Sequence, residues 1–414
     1  MRRLNRSSRA ARLLKLICIV SMTAPLLTGC WDRLEIDERG VVLGIGIDVA
    51  PPKEKREESL VTTLDPKQPR TNKPLVRITV QIAVPGRIPL GPGEGGGGGN
   101  AGAAKTVWII DVVGRTIDDA VSNLQQQISA PLFFGHLRII VVSEEYARSG
   151  LQNINDYFHR NSEIRRTTWM VISKGKAKAI MQASPELERV PSLYLQSSMD
   201  QAVRMGKLPN VFLGVFWSAV SKKGQEAYLP YVVMKKKNNI QIAGLAYFRE
   251  DRIVGTTKPL EIAILMAIKN MNPAGYQTFA PIRGMGAAVY TATHRKSKIE
   301  AELRNGIPHF KIHVEIEGNI REKTDEGFTI DPNTIAKIQR DIESFNEKSS
   351  NELIKMTQKE GADIFGFGEY IRAYKWGYWN SRVKTKEKWQ EIYKDITFEV
   401  DTRVHVRRVG MKAV

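Results

Sequence analysis

The sequence predicts an α+β protein of three domains behind a lipoprotein export signal, each domain a mainly mixed or antiparallel sheet with flanking helices. Three observations predict it. Apolar runs and period-two alternations recur along the chain, helical-period stripes stand between them, and the first thirty residues have a composition unlike the rest. The chain has 414 residues, with 62 Lys plus Arg against 44 Asp plus Glu and a formal net charge of +18. At roughly 150 residues per domain this is about two to three domains. A hydrophobic fraction of 42% is enough for ordinary cores and excludes wholesale disorder. Two Cys exclude a disulfide framework, and a mean hydropathy of -0.29 excludes a polytopic membrane protein. Basicity alone points equally to nucleic acid and to an anionic membrane surface.

The N-terminus comes first. Arg2, Arg3, Arg6, Arg9, Arg12 and Lys15 occur with no acid, and Leu16, Ile17, Cys18, Ile19 and Val20 lead an apolar run ending at Leu26 and Leu27. A charged stretch before a short apolar one is the export pattern, and the run is short for a spanning helix. It ends Leu27-Thr28-Gly29-Cys30, which resembles the bacterial lipobox: residues 1–29 are the signal peptide and the Cys30 sulfur receives a diacylglyceryl group. Removing residues 1–29 takes six cations and no acid, leaving 56 against 44, or +12. Several acyl chains on Cys30 hold a protein stably, where a single chain anchors only reversibly.

The first domain, residues 31–200, opens on a nearly continuous apolar strand at 41–49 with Gly44 and Gly46 in it, a sign of close backbone approach or a bulge. Residues 53–70 are charged and read as a loop. Val76, Ile78, Val80, Ile82 and Val84 alternate with Arg77, Thr79 and Gln81 as in a half-buried strand, and Pro85 ends it. A glycine-rich loop follows near 91–104. Residues 107–113 are a strand, Thr116 caps a helix with Ala120, Val121, Leu124 and Ile128 on one face, and 137–142 is the next strand. Ser143 with Glu144 and Glu145 opens helical sequence through Leu151, Ile154, Tyr157 and Phe158, and 169–172 is a further strand.

The middle domain, 201–290, carries Ile240, Ile242, Gly244 and Ala246 before a turn at Glu250-Asp251, with Ile253 and Val254 returning: a hairpin packed on a helix at 261–269. In the C-terminal domain, 291–414, Phe310, Ile312, Val314 and Ile316 alternate with Lys311, His313 and Glu315. Asp331-Pro332 is an N-cap followed by Pro at the first helical position. Ile335, Ile338, Ile342, Phe345, Leu353 and Met356 then keep to one stripe until Gly361, and Phe398, Val400, Val404 and Val406 form the last strand.

After Cys30 the chain reads Trp31-Asp32-Arg33-Leu34-Glu35-Ile36 and then Gly40-Val41-Val42-Leu43-Gly44-Ile45-Gly46-Ile47-Asp48. With Gly135-His136-Leu137, Ala243-Gly244-Leu245-Ala246-Tyr247-Phe248 and Ala362-Asp363-Ile364-Phe365-Gly366-Phe367-Gly368 in that order, it resembles the C-subunit lipoproteins of bacterial spore nutrient germinant receptors. The resemblance covers nearly the whole mature chain. It implies a receptor component on the outer face of the spore's inner membrane, working with integral-membrane partner subunits, without enzymatic activity and without a cofactor beyond the diacylglycerol and acyl lipid on Cys30. The stretch from Gly91 to Ala104 departs from the family's pattern and reads as an inserted loop.

Other chemistry is weaker. His309 and His313 share the polar face of one strand with Lys311 between them, which disfavours a metal, so both read as solvated. His136 reads as a capping or packing residue. Gly91, Gly93 and Gly96 satisfy G-x-G-x-x-G but lie in a poly-glycine tract with Pro92, away from any helix start. Residues 211–220, with Phe212, Phe216 and Trp217, read as core or as a contact for a membrane partner. Between Ala202 and Lys258 ten cations (Arg204, Lys207, Lys222, Lys223, Lys235, Lys236, Lys237, Arg249, Arg252 and Lys258) face Glu226, Glu250 and Asp251, a local +7 that suits a solvated face or an anionic lipid surface. An exported protein does not meet nucleic acid, and no basic-aromatic reading motif is present. Two rivals stand beside the receptor-subunit reading: a membrane-anchored lipoprotein that itself holds the small-molecule germinant, and an envelope hydrolase, for which no nucleophile and base are in view.

Overall fold

The apolar runs pair as strands. In the computed structural model, which describes residues 14–19, 21–22, 35–36, 38–51, 74–84, 106–183, 188, 190–236, 239–282, 286–324, 330–410 and 412–413, nine strands share one sheet. They are β1 (Gly40–Val49), β2 (Val76–Ala83), β3 (Val107–Gly114), β4 (Leu132–Phe133), β5 (Ile139–Ser143), β6 (Trp169–Lys174), β7 (Tyr228–Met234), β8 (Ile240–Arg249) and β9 (Arg252–Thr256). Their order is β3-β2-β1-β5-β6-β7-β8-β9, with β4 attached to β1. β1, β5, β6 and β7 run parallel, and antiparallel strands flank them on both sides. Every residue of β5 and the first five of β6 are buried, as in a sheet covered on both faces.

The covering helices are α1 (Ile117–Gln125), α2 (Glu144–Ser149), α3 (Gln152–Arg160), α4 (Ala177–Gln182), α5 (Pro191–Arg204) and α6 (Leu213–Ser221). Thr116 caps α1 by accepting from the Asp119 N–H, and Ser143 caps α2 by accepting from Tyr146. Ile128, expected on the helical stripe, lies past the end of α1 and packs on the core from the following turn. Gly44, Gly46 and Asp48 project to one face of β1. A Cβ on Gly44 or Gly46 would stand 2.7 or 2.8 Å from Met181 of α4, so close approach explains both glycines. Asp48 accepts from the Ala177 and Lys178 N–H groups, each at 2.8 Å, which seats α4 on the strand.

The strands of the middle region do not form a third sheet. The expected hairpin at Glu250-Asp251 exists, but β7, β8 and β9 extend the first sheet through parallel pairing of β7 with β6. Such pairing joins strands 54 residues apart, between Lys174 and Tyr228, and leaves no local signature. The helix α7 (Pro259–Ile268) then leads to the second sheet. That sheet runs β10 (Gln277–Ile282), β11 (Gly286–Arg304), β12 (Ile307–Lys323), β13 (Thr397–Val409) and β14 (Lys412–Ala413), in sequence order. β12 and β13 are parallel, connected by α8 (Pro332–Glu360), α9 (Phe367–Tyr374), a turn at Trp376–Tyr378, a π-helical turn at Trp379–Val383 and α10 (Lys386–Tyr393).

The helix α8 begins and ends where expected, with Asp331 accepting from Thr334 and Gly361 in the left-handed region. Its stripe buries Ile335, Ile338, Ile342 and Leu353, while Phe345 stays exposed. Its neighbouring stripe closes the edge of the sheet. Gln339, Glu343 and Glu347 accept from the N–H groups of Val406, Val404 and Thr402 at 3.1, 2.9 and 3.1 Å. Four helical residues advance about 6 Å and two strand residues about 6.6 Å, so the two repeats match. A long edge strand is thereby covered.

Candidate functional site at the junction of the two sheets

The chain between α8 and α9 places a carboxylate in the interior. Asp363 is 0% exposed; its Oδ1 accepts from Gly366 and Phe367, and its Oδ2 from Gly368 and the Trp389 indole. Burial pushes the Asp363 carboxyl up, against these four hydrogen bonds. Lys269, just after α7, donates to the carbonyls of Ile364 and Phe365 at 3.2 and 2.9 Å. Burial lowers its ammonium to about 8, with the Asp363 charge opposing. An Asp followed by N–H donors at the third to fifth positions ahead of a helix resembles an N-cap, and that pattern in 363–368 is the signal a closer reading would use.

A second buried acid stands beside it. Glu226, on the loop entering β7, receives Lys386 at 3.0 Å, the Gln390 amide at 2.7 Å and the Glu250 N–H at 2.9 Å. Burial pushes the Glu226 carboxyl up and the Lys386 charge holds it down. Gly224 passes Gly368 backbone against backbone, so a side chain on either would push the two segments apart. The first sheet is thus joined to the α9–α10 layer by Glu226, whose Lys386 and Gln390 partners come from α10, while Asp363 fixes the 366–368 turn and Trp389 within that layer.

Arg295 of β11 is a third buried group. Its guanidinium donates to the carbonyls of Ala263 at 2.9 Å, Pro273 at 3.0 Å and Gly206 at 3.3 Å, and burial lowers it to about 10. A cavity of about 50 Å³ lies beside it, walled by Leu260, Ile264, Tyr290, Ile316 and Ile342. That is room for a few waters, against the several hundred Å³ of a typical small-molecule site. A wider depression of about 730 Å³ between α1 and α3 is open to solvent, and its Arg160 is already paired with Asp156 at 2.8 Å. Among the described residues no group of three or more His, Cys, Asp or Glu is placed to hold a metal ion.

The sequence-derived candidates separate. Cys30, Lys237 and the glycines 91, 93 and 96 lie outside the described residues. His309 is buried rather than solvated: it is 2% exposed, its Nδ1 meets Thr397 Oγ1 at 2.7 Å, and burial lowers its pKa. Pairing with β13 covers that side of β12, which alternation alone does not reveal. His313 remains exposed, 3.3 Å from Asp401. His136 packs edge-on against Phe133. Residues 213–221 are α6, burying Leu213, Phe216 and Ala219, the expected core segment. The basic stretch divides: Lys222, Lys223, Arg249 and Arg252 stand at the edge where β7 begins, and Lys235 and Lys236 at the edge where it ends.

The model for the spore germination protein N-terminal domain matches residues 32–234, and that for the spore germination B3/GerAC-like C-terminal region matches 243–410. The chain belongs to the GerAC-like spore germination family. Among family relatives, the putative spore germination protein YfkR of Bacillus subtilis strain 168 is 28% identical over 405 residues, covering 96% of this chain and 95% of that one. Spore germination protein KC of the same organism is 24% identical over 429 residues, covering 96% of each. The crystal structure of the GerBC protein has the same fold, with a TM-score of 0.54 at 19% identity over 82% of this chain and 95% of that one. The two matched regions of this GerAC-like chain meet between residues 234 and 243, in the β7–β8 turn. Its family segments are scaffold: Gly44, Gly46 and Asp48 seat α4, and Asp363 with Gly368 forms the junction.

Proposed function

We propose that this protein is the C subunit of a nutrient germinant receptor, held on the outer face of the spore's inner membrane by lipid on Cys30. It acts without enzymatic chemistry, as the subunit that docks integral-membrane partners and so takes part in triggering germination. The observation that carries the reading is the pair of family matches, which run in order over residues 32–234 and 243–410. The printed names of its relatives are those of spore germination proteins. The interior supports a non-catalytic role, since Asp363, Glu226, Lys269 and Arg295 each hold one backbone segment against another.

Replacing Cys30 by Ala and following radiolabelled fatty acid tests the anchor. The expected result is loss of label and release from the membrane fraction; a variant that still takes up label overturns the assignment. Spores carrying the Cys30→Ala chain are expected to respond more slowly to the nutrient that its receptor serves, read as loss of optical density.

A further inference from the structure

The strands β1, β5, β6 and β7 are parallel, so their first residues lie along one edge of the first sheet. The chain reaches β1 at that edge, ten residues after Cys30, a length that spans at most about 35 Å. Three strand spacings, about 14 Å, separate β1 from β7. The same edge carries Arg165 and Arg166 ahead of β6, and Lys222 and Lys223 ahead of β7, all four exposed.

Tertiary packing adds a second segment to this edge. Lys386 donates to the Val220 carbonyl, Glu369 to that of Gly224, and Lys223 reaches the Lys384 carbonyl at 3.5 Å. The turn after α9 therefore stands beside Lys223. Trp376, Arg382 and Lys384 of this turn are exposed, as are Tyr374 at the end of α9 and the acid Glu387 at the start of α10, and Tyr374 and Trp376 are each 70% accessible. Among the described residues no carboxylate lies within 4 Å of Arg165, Arg166, Lys222, Lys223, Arg382 or Lys384, whereas Lys176 and Lys178 near the other edge are paired with Glu145 and Asp111.

We propose that this edge, with the 374–384 turn, is the face the protein lays on an anionic bilayer. Tyr374 and Trp376 enter the headgroup layer, and these six cations, none with a carboxylate partner among the described residues, meet lipid phosphates. Large aromatic rings with polar tips beside Lys and Arg are the chemistry of a membrane interface, and Lys222, Lys223 and Lys384 are of the residue type depleted from protein contacts. The inference rests on the membrane reading above but not on acylation of Cys30. Lys235 and Lys236, a strand length of roughly 23 Å away, face elsewhere.

The test uses the full chain with Cys18 and Cys30 replaced by Ala and a single Gly377→Cys carrying an environment-sensitive dye, a position where a side chain meets open space. Vesicles of equal parts phosphatidylglycerol and phosphatidylcholine are expected to brighten and blue-shift the dye. Pure phosphatidylcholine is not, nor are the mixed vesicles when the label sits at Lys235→Cys. Adding Arg382→Gln and Lys384→Gln, at exposed positions, lowers partitioning about thirtyfold, and about 1 M salt abolishes it. A silent label at 377, or an equal response to neutral vesicles, overturns the proposal. So does a label that responds only to detergent-solubilised partner subunits, which would assign the face to protein. Because the assay carries no acyl chain, its failure leaves lipidation untouched, and an unacylated Cys30 leaves the vesicle response intact.

Discussion

The first sheet and the second solve burial differently. In β5 and β6 successive residues are buried, so both faces are core; in β12 buried Ile312 and Val314 alternate with exposed His313 and Glu315, so one face meets water. The first sheet is surrounded by its own crossovers, as parallel strands require, while the second has α8 over one face and around its β13 edge. Surface chemistry therefore follows topology: the second sheet presents a broad ion-paired face, and the first presents only its edges.

The junction between them should be the most sensitive point. Asp363→Ala leaves four donors without an acceptor and is expected to cost about 4 kcal/mol, read as the urea midpoint. The contrast between the sheets is tested by neighbouring substitutions. Ile139→Ala and Ile140→Ala should each cost about 3 kcal/mol, as should Ile312→Ala, while His313→Ala leaves stability unchanged. Equal costs at 312 and 313 would break the comparison. Gln339→Ala with Glu343→Ala uncovers two N–H groups of β13 and should cost about 2 kcal/mol, with concentration-dependent association as a second sign.

Titration of Lys269 sharpens the picture further. Its folded value, about 8, lies below the ordinary 10.5, so the unfolded chain binds more protons between these values. Stability contributed at this position rises with pH across that window, with the charges of Asp363 and Lys222 also acting on the group. Relative to a Lys269→Met variant, the wild type should gain about 2 kcal/mol from pH 8 to 10. A flat difference would contradict the burial of the ammonium. On the outer face of the second sheet, Arg304→Gln should leave the urea midpoint in place, because its pairs with Glu302 and Glu399 are solvated.

Local signals identified most elements. The Thr116, Ser143 and Asp331 caps, the alternation in 76–83 and the Gly361 stop state their geometry in a few adjacent residues. The site was harder to read. Asp363 was visible only as part of a family segment, and nothing near it announces that Trp389 and Lys269 complete its surroundings. His309 looked solvated because alternation shows which face a side chain takes but not what the neighbouring strand places there.

By itself the sequence determined the α+β class, the starts of α1, α2 and α8 and the end of α8, the alternating faces of the second sheet and the family, since caps, periods and ordered segments are short-range properties. Only the tertiary structure decided that the middle strands join the first sheet, that one basic run divides between two opposite edges, and that Lys223 and Lys384 meet across 161 residues. Parallel pairing and edge covering are settled by which distant surfaces fit together once each element is formed, and no window of sequence contains both partners.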